Sequence, residues 1–292
     1  MGTGFAAGIW YTTDHEQKNQ LTGVVFIVVC IRFSTLCGCF WRSHLMQYRI
    51  RRRAPESGVR RERRQVADII GESTENMKTE IEATVRETKV VAIVRGFPAE
   101  ICVRLADAYR RGGIRLVEVT FNQREPETWK DTAAAIKAIR GEFAGEVRAG
   151  AGTVLTYDQL SMCEDAGGEY IVTPNVKPTL IRSAVERGLA AMPGALTPSE
   201  AVNAWEAGAS FVKLFPAGSL GPGYVKAVRA PLSHIPFLAV GGVSAANAAE
   251  FMRAGCVGVG VGGNLTNKEW IAEGAWDRIA EAARELVESV QI

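Results

Sequence analysis

The sequence predicts an α/β protein with a single (β/α)8 barrel of the TIM type, preceded by an N-terminal tail of different character. Two observations lead to this prediction: eight short apolar runs recur between residues 90 and 265, and an alanine-rich helical pattern follows each of them. Eight such units in residues 77–292 give about 27 residues per unit, the size of a compact barrel. We therefore assign residues 1–76 to the tail and residues 77–292 to the barrel.

The predicted strands are nearly continuous apolar runs, as expected of parallel strands in a sheet that is covered on both faces. The helices between them are expected to begin after capping residues such as Thr156, Thr197 and Ser244. The eight predicted strands are Val90–Arg95, Leu116–Phe121, Val147–Val154, Tyr170–Pro174, Leu189–Gly194, Phe211–Ala217, Phe237–Val243 and Val257–Leu265.

The first 76 residues have no periodic pattern. An apolar run of eleven residues, Leu21–Ile31, is followed by a basic stretch with eight arginines between residues 49 and 64. The run is shorter than the ~20 residues that span a bilayer, and its basic flank lies on the wrong side for a secretory signal. A membrane anchor and a cleaved targeting segment are alternatives. We interpret the segment as a disordered tail or as sequence upstream of a true start at Met77.

Charge and rare side chains exclude several classes of function. The tail carries a net charge of about +4 and the barrel about −2, so the barrel lacks the basic surface typical of nucleic-acid binding. Only His234 of the three histidines lies in the barrel, which makes a Ser-His-Asp triad or a multi-histidine metal site hard to build. Three of the six cysteines lie in the tail. The other three, Cys102, Cys163 and Cys256, are far apart and show no metal-ligand spacing, which fits a reducing compartment without a disulfide framework and a cytoplasmic location.

Lys213 lies in the middle of the sixth predicted strand, among apolar residues. Burial disfavours the ammonium form, lowering the pKa of a fully buried lysine by about 3–5. The neutral amine that results is a nucleophile toward carbonyl carbon. A lysine that reaches water from the end of the strand is the alternative, and this strand alone does not decide between the two.

Glu118 lies within the second predicted strand, where a buried carboxylate needs a partner or a chemical role. We expect it to share a pocket with Lys213 and to act as the general acid–base of imine chemistry. A structural salt bridge between the two residues is the alternative. Such a buried pair adds little stability compared with apolar residues of similar volume, which favours the chemical role.

Polar residues and glycines are concentrated at the carboxyl ends of the predicted strands, where barrels of this kind carry their active sites. The small residues 150–152 are expected to let a ligand approach the backbone. Gly241-Gly242 and Gly262-Gly263 follow the last two strands and predict a phosphate cradle made of backbone amides. Glycines that serve only to turn the chain tightly are the alternative.

Five motifs occur in order on the expected strands, and together they resemble those of the 2-keto-3-deoxy-6-phosphogluconate (KDPG) / 4-hydroxy-2-oxoglutarate (KHG) aldolases. The resemblance covers about residues 89–292, and the ordered series is far more specific than any single motif. The motifs are Leu-Val-Glu-Val-Thr around Glu118, Gly-Ala-Gly-Thr-Val-Leu from Gly150, Pro193-Gly194 with Thr197-Pro198-Ser199-Glu200, Val-Lys-Leu-Phe-Pro-Ala from Val212, and Gly241-Gly242-Val243.

The resemblance implies a class I aldolase, an aldehyde-lyase that needs no metal and no cofactor. It would cleave a 2-keto-3-deoxy sugar acid, with KDPG and/or KHG as the first choice, to pyruvate and an aldehyde, either glyceraldehyde 3-phosphate or glyoxylate. Lys213 would form the Schiff base and Glu118 would shuttle protons. The family is typically a homotrimer acting on a small keto acid, with no nucleic-acid or membrane partner. The implied substrate-binding residues are Arg95 for an anion, Thr153, Pro174 and Phe215 for the pyruvate part, and Gly241, Gly242 and Asn264 for the phosphate end.

The sequence departs from the family pattern at two places. Many members have an arginine four residues after the glutamate, where this chain has Asn122, so Arg95 or Arg124 is the candidate replacement. Many members also have threonine and serine where this chain has Val240 and Asn264. Because specificity depends on such polar contacts, KDPG, its galactonate-derived epimer, KHG and a non-phosphorylated sugar acid all stay open as substrates.

Two other classes of function compete with an aldolase. One is a phosphate-binding barrel isomerase or synthase that forms no covalent intermediate and uses Lys213 only as a charge. The other is an inactive barrel held at a membrane by the tail, which the buried Lys213 and Glu118 argue against. Borohydride reduction with pyruvate distinguishes them, because only an aldolase should be labelled covalently at Lys213.

Overall fold

The computed structural model describes residues 5–8, 25–31, 44–48 and 77–292. The chain divides into two units, Met1–Ser73 and Thr74–Ile292. Apart from three short ranges, residues 1–76 lie outside the described residues, and so do the predictions that this segment is disordered or precedes the true start. In the first unit, three strands pair antiparallel in chain order: β1 (Phe5–Gly8), β2 (Val25–Ile31) and β3 (His44–Tyr48).

The second unit is a parallel barrel sheet surrounded by helices, which confirms the predicted fold class. Its strands are hydrogen-bonded in the order β8-β7-β6-β5-β4-β12-β11-β10-β9. They are β4 (Val90–Val94), β5 (Leu116–Thr120), β6 (Arg148–Gly152), β7 (Tyr170–Val172), β8 (Ala190–Met192), β9 (Gly194–Ala195), β10 (Val212–Leu214), β11 (Phe237–Val240) and β12 (Gly258–Val261).

The predicted fifth strand, Leu189–Gly194, is broken into β8 and β9 at Pro193. Proline has no N–H to donate, so it interrupts the ladder. β8 pairs with β7, whereas β9 pairs with β10. The N–H of Ser210 donates to the carbonyl of Ala191 at 2.9 Å, and the N–H of Lys213 donates to that of Pro193 at 2.9 Å. These bonds join the two ends of the sheet, so the barrel closes directly beside Lys213.

The helices follow the strands as predicted. Thr156, Thr197 and Ser244 are each the N-cap of a helix and form a capping box with the residue three positions later. Within the described residues, no helix combines the length and the apolar character needed to cross a membrane. The helices are α1 (77–88), α2 (Ala99–Arg111), α3 (Trp129–Phe143), α4 (Tyr157–Asp165), α5 (Pro178–Glu186), α6 (Pro198–Glu206), α7 (Ala217–Arg229), α8 (Ala245–Arg253), α9 (Lys268–Ala272) and α10 (Trp276–Ser289).

Two apolar cores stabilise the barrel. The larger one lies between the sheet and the surrounding helices. The smaller one contains alternate residues of the strands, such as Tyr170, Phe211 and Leu238, and therefore fills the interior of the barrel. Ile81 and Val85 of α1 belong to this interior core and are fully buried. Because α1 leads directly into β4, it closes the amino end of the barrel and leaves the carboxyl end open.

Candidate active site

Lys213 and Glu118 are the central residues of β10 and β5, and both line one small cavity inside the barrel. Their relative exposures are only 7% and 3%. The structure therefore brings together the two residues that the sequence places on separate strands. The cavity has a volume of about 10 Å³, close to the minimum for one water molecule. Its other lining residues are Val91, Val172, Met192, Leu238, Val240 and Gly260.

The carboxyl group of Glu118 has a pKa above the ordinary range of glutamic acid. The main cause is burial, which removes the hydration of the ionised form. The positive charges of Lys213 and Arg95 act in the opposite direction but do not reverse the effect. A buried carboxyl group with a raised pKa can hold a proton and give it up, as a general acid–base must.

Gly152 makes room for the Glu118 carboxylate. A Cβ atom at residue 152 would overlap Oε1 of Glu118 and lie 2.5 Å from its Cδ. A Cβ atom at Gly150 would likewise lie 2.5 Å from Cδ2 of Tyr170. Residues 150–152, expected to admit a ligand to the backbone, thus also give the interior side chains of the barrel their space.

Phe215 connects the lysine to the glycine-rich loop after β11. The Lys213 Nζ atom lies 4.9 Å from the centroid of the Phe215 ring, a cation–π geometry. A Cβ atom at Gly241 would lie 3.0 Å from Cδ2 of the same ring. The ring is 37% exposed. The ring therefore lies beside Lys213 with part of its surface accessible, and its contact with the pyruvate part stays a prediction.

Arg95 follows β4 and is the arginine whose positive charge acts on Glu118. Asn122 instead shapes its own loop. Its Oδ1 atom accepts the N–H of Arg124 at 3.1 Å, and its carbonyl accepts the Trp129 Nε1–H at 2.8 Å. Of the two candidate replacements for the missing arginine, Arg95 is the one whose charge acts on Glu118.

Pro174 and Thr153 follow the neighbouring strands β7 and β6. A Cβ atom at Gly194 would lie 2.6 Å from the carbonyl carbon of Pro174, and Gly194 pairs in register with Lys213. Thr153 has a φ of 56°, in the left-handed region that a β-branched residue rarely adopts. Its carbonyl accepts a hydrogen bond from Nε2 of Gln123 at 2.7 Å. Gln123 was not among the site residues predicted from the sequence.

The predicted phosphate end is formed by the loops after β11 and β12 and by the first turn of α7. Gly241 and Gly242 have φ angles of 87° and 74°, so glycine is required at both positions. The N–H of Gly218 donates to the carbonyl of Gly241 at 2.7 Å, which brings the start of α7 against this loop. The Asn264 Nδ2 atom donates to the carbonyl of Val243 at 3.1 Å and ties the two loops together.

The cysteine thiols and the potential metal-binding side chains of the barrel are less suited to catalysis than Lys213 and Glu118. Cys102, Cys163 and Cys256 are buried, and burial raises the pKa of each thiol to about 12. Among the described residues, no group of three or more His, Cys, Asp and Glu side chains is arranged to hold a metal ion. Lys213 and Glu118 are therefore the described pair best suited to covalent and acid–base chemistry.

Comparison with known proteins gives matches over the whole barrel. The sequence model of the KDPG and KHG aldolase family matches residues 81–282. A 2-dehydro-3-deoxy-6-phosphogalactonate aldolase of Escherichia coli K12 is 36% identical over 203 residues, 69% of this chain and 96% of that protein. The KHG/KDPG aldolase of the same strain is 32% identical over 223 residues, 74% and 99% of the two chains. A solved structure of native KDPGal has a TM-score of 0.62 and 35% identity, over 70% of this chain and 96% of its own.

Proposed function

Because the chain belongs to the KDPG and KHG aldolase family, we propose that it is a class I aldolase that cleaves a 2-keto-3-deoxy sugar acid to pyruvate and an aldehyde. The observation that carries this proposal is the shared cavity of Lys213 and Glu118 at the centre of the barrel. A buried amine beside a carboxyl group of raised pKa supplies both groups that imine chemistry requires.

The proposed cycle forms and breaks one C–N bond. The Lys213 amine attacks the keto carbon, C2, and Glu118 protonates the hydroxyl group of the carbinolamine, which leaves as water and gives a protonated imine beside an ionised Glu118. The imine accepts the electron pair of the C3–C4 bond while Glu118 takes the proton of the C4 hydroxyl, which releases the aldehyde and leaves an enamine. Glu118 then returns that proton to C3, and water hydrolyses the protonated imine to pyruvate and free lysine, with the released proton going back to Glu118.

The surrounding residues support the orientation of the keto acid in this cycle. Arg95 is the cation at the open end of the pocket and would bind the substrate carboxylate in place of the arginine missing at position 122. Thr153, Pro174 and Phe215 would enclose the pyruvate part. With this orientation, the sugar chain extends toward the loops after β11 and β12.

For the sugar chain we favour the phosphorylated galactonate-derived epimer. The E. coli relative with 36% identity is named for that substrate, whereas the relative with 32% identity is named for KHG and KDPG. Gly241, Gly242 and the first turn of α7 would bind the phosphate through backbone N–H groups. The specificity constants kcat/KM for the two epimers and for KHG test this choice. A higher value for KDPG or KHG would refute it.

The Schiff base is tested by the intact mass of the protein after borohydride reduction with pyruvate. We expect one reduced pyruvate per chain, mapped to Lys213, and no adduct in Lys213→Ala. Lys177→Ala is the matched control, because Lys177 is an exposed lysine on a loop at the same end of the barrel and should not affect labelling. A folded wild-type protein without an adduct would instead favour a phosphate-binding isomerase or synthase that forms no covalent intermediate.

A further inference from the structure

Thr153 adopts a backbone conformation that it does not prefer. Its φ of 56° lies in the left-handed region, where the branched Cβ of threonine is sterically crowded. Such a conformation persists only when the surrounding structure imposes it, and it is most often found at functional sites. In this chain the strained residue directly follows Gly152, which lies against the Glu118 carboxylate.

Two glutamines, Gln123 and Gln159, hold the turn that contains Thr153. Nε2 of Gln123, in the loop after β5, donates to the Thr153 carbonyl at 2.7 Å. Oε1 of Gln123 in turn accepts from Nε2 of Gln159 at 3.1 Å. Oε1 of Gln159 accepts the N–H of Leu155 at 2.7 Å and that of Thr156 at 3.2 Å. The chain is therefore held at the carbonyl of the strained residue and again two and three residues after it.

Gln159 does more than cap a helix. It is fully buried, with 0% exposure, and both ends of its side-chain amide are hydrogen-bonded. The capping box of α6 provides a comparison, because Glu200 makes the same two acceptor contacts, to the N–H groups of Leu196 and Thr197. A carboxylate suffices for those contacts, so the amide donor of Gln159 is needed only for the link to Gln123.

We propose that Gln123 and Gln159 are positioning residues that hold Thr153 in its left-handed conformation and so set the affinity of the site for the pyruvate part of the substrate. The inference rests on the proposed function, in which Thr153 contacts that part. Gln123 has this role because it lies in the loop that follows the strand of Glu118. It thereby ties the loop after the strand of Glu118 to the turn after the adjacent strand, β6.

Gln123→Ala is the variant of choice, because Gln123 is exposed and its truncation leaves the core intact. The concentration of pyruvate that gives half-maximal borohydride trapping should rise roughly tenfold, the effect of one lost hydrogen bond. The urea midpoint should fall modestly, because the buried Nε2 atom of Gln159 loses its acceptor. Gln291→Ala, the same change at a distant exposed site, should leave both values unchanged. Wild-type trapping by Gln123→Ala would overturn the proposal.

A double-mutant cycle with Thr153→Gly tests the cause of the effect. Glycine adopts a positive φ without strain, so the backbone no longer needs to be held in place. In that background, Gln123→Ala should change the half-saturating pyruvate concentration by less than about twofold. A full tenfold effect there would show that Gln123 acts by another route and would overturn the proposal.

The proposed function can fail independently of this inference. If the wild type forms no pyruvate adduct, the aldolase mechanism is wrong, but the positioning contacts can still be measured. Amide hydrogen exchange at Leu155 and Thr156 should then be faster in Gln123→Ala than in the wild type, because Gln159 loses its anchor. Equal exchange rates would refute the positioning role itself.

Discussion

The buried carboxyl group of Glu118 binds its proton more tightly in the folded protein than in the unfolded chain, because burial raises its pKa. The stability that the protonated group contributes is complete below the unfolded pKa and is lost as the pH rises through the folded pKa. The positive charges of Lys213 and Arg95 lower this pKa, yet it stays raised overall. The ionised carboxylate therefore reduces the free energy of unfolding. Catalysis and stability thus place opposite demands on this residue.

Glu118→Gln removes the ionisation and keeps the shape of the side chain. We expect this variant to unfold at a higher urea concentration than the wild type at about pH 8, with a difference that shrinks toward about pH 4. Aldol cleavage should be lost, because an amide cannot exchange the proton. The exposed Glu125→Gln is the control. A Glu118→Gln variant less stable than the wild type at alkaline pH would contradict the argument.

Gly152→Ala should damage the site through the same carboxylate, because the new Cβ would occupy the place of Glu118 Oε1. We expect kcat/KM to fall by about a hundredfold or more and the free energy of unfolding to fall by about 1–3 kcal/mol. Gly141→Ala in α3 is the matched control, since a Cβ there meets no atom within 4 Å. Full activity of Gly152→Ala would show that Glu118 tolerates displacement.

Part of the site could be predicted from single residues and part could not. Lys213 and Glu118 are recognisable because a charged residue stands out within an apolar strand. Gln159 is recognisable only as the last residue of a capping box that begins at Thr156. Its second contact, to Gln123, depends on the distance between two loops, which no local pattern encodes.

Among the elements, the strands are shorter than the apolar runs that predict them. β12 ends at Val261, yet the run continues to Leu265, which is also buried. Apolar composition reports burial, whereas the end of a strand is set by its last hydrogen-bonded neighbour. Helix starts were predicted better, because capping at Thr156, Thr197 and Ser244 depends on residues a few positions apart.

The capping box of α6 depends on the carboxylate of Glu200. The N–H groups of Leu196 and Thr197 donate to its Oε2 atom at 2.9 and 2.8 Å, and they lower its pKa. A lowered pKa stabilises the folded protein above the unfolded pKa. That stabilisation is lost as the pH falls through the folded pKa. The pH trend is therefore opposite to that of Glu118.

Glu200→Gln should keep the geometry of the cap, as Gln159 does in α4, and lose only the charge. Because Glu200 is exposed, solvent screening keeps the expected loss at neutral pH below about 1 kcal/mol. The loss should disappear in acid, which urea unfolding across pH measures. Glu206→Gln at the other end of α6 is the control. A loss that persists unchanged in acid would mean that geometry, not charge, is responsible.

At the scale of the whole molecule, the amino end of the barrel is closed by α1, which belongs to the barrel unit itself. Ile81 and Val85 of α1 are buried in the interior core, and Glu80 pairs with Arg148 at 2.8 Å. The overall architecture could be predicted because each βα unit is local in sequence. The point where the barrel closes, at Pro193, could not, because it joins strands that are neighbours only after folding.

We expect a chain that begins at Met77 to be soluble and to match the full chain in kcat/KM. A chain that begins at Lys89 lacks Ile81 and Val85 and should lose about 2–5 kcal/mol of stability for each, or aggregate. Light scattering of the Met77 chain tests the homotrimer implied by the family resemblance, with about three times the subunit mass expected. Insolubility of the Met77 chain would show that residues 1–76 are structural.

The backbone N–H of Lys213 donates to the Pro193 carbonyl where the barrel closes. The environment of the Lys213 side-chain amine therefore depends on the complete, closed barrel. Residues of β4, β5, β7, β8, β11 and β12 all line the cavity of that lysine. A partly assembled chain would present the same amine to water like any surface lysine. The fraction of molecules that form a covalent adduct with pyruvate would therefore report the fraction of molecules whose barrel is closed.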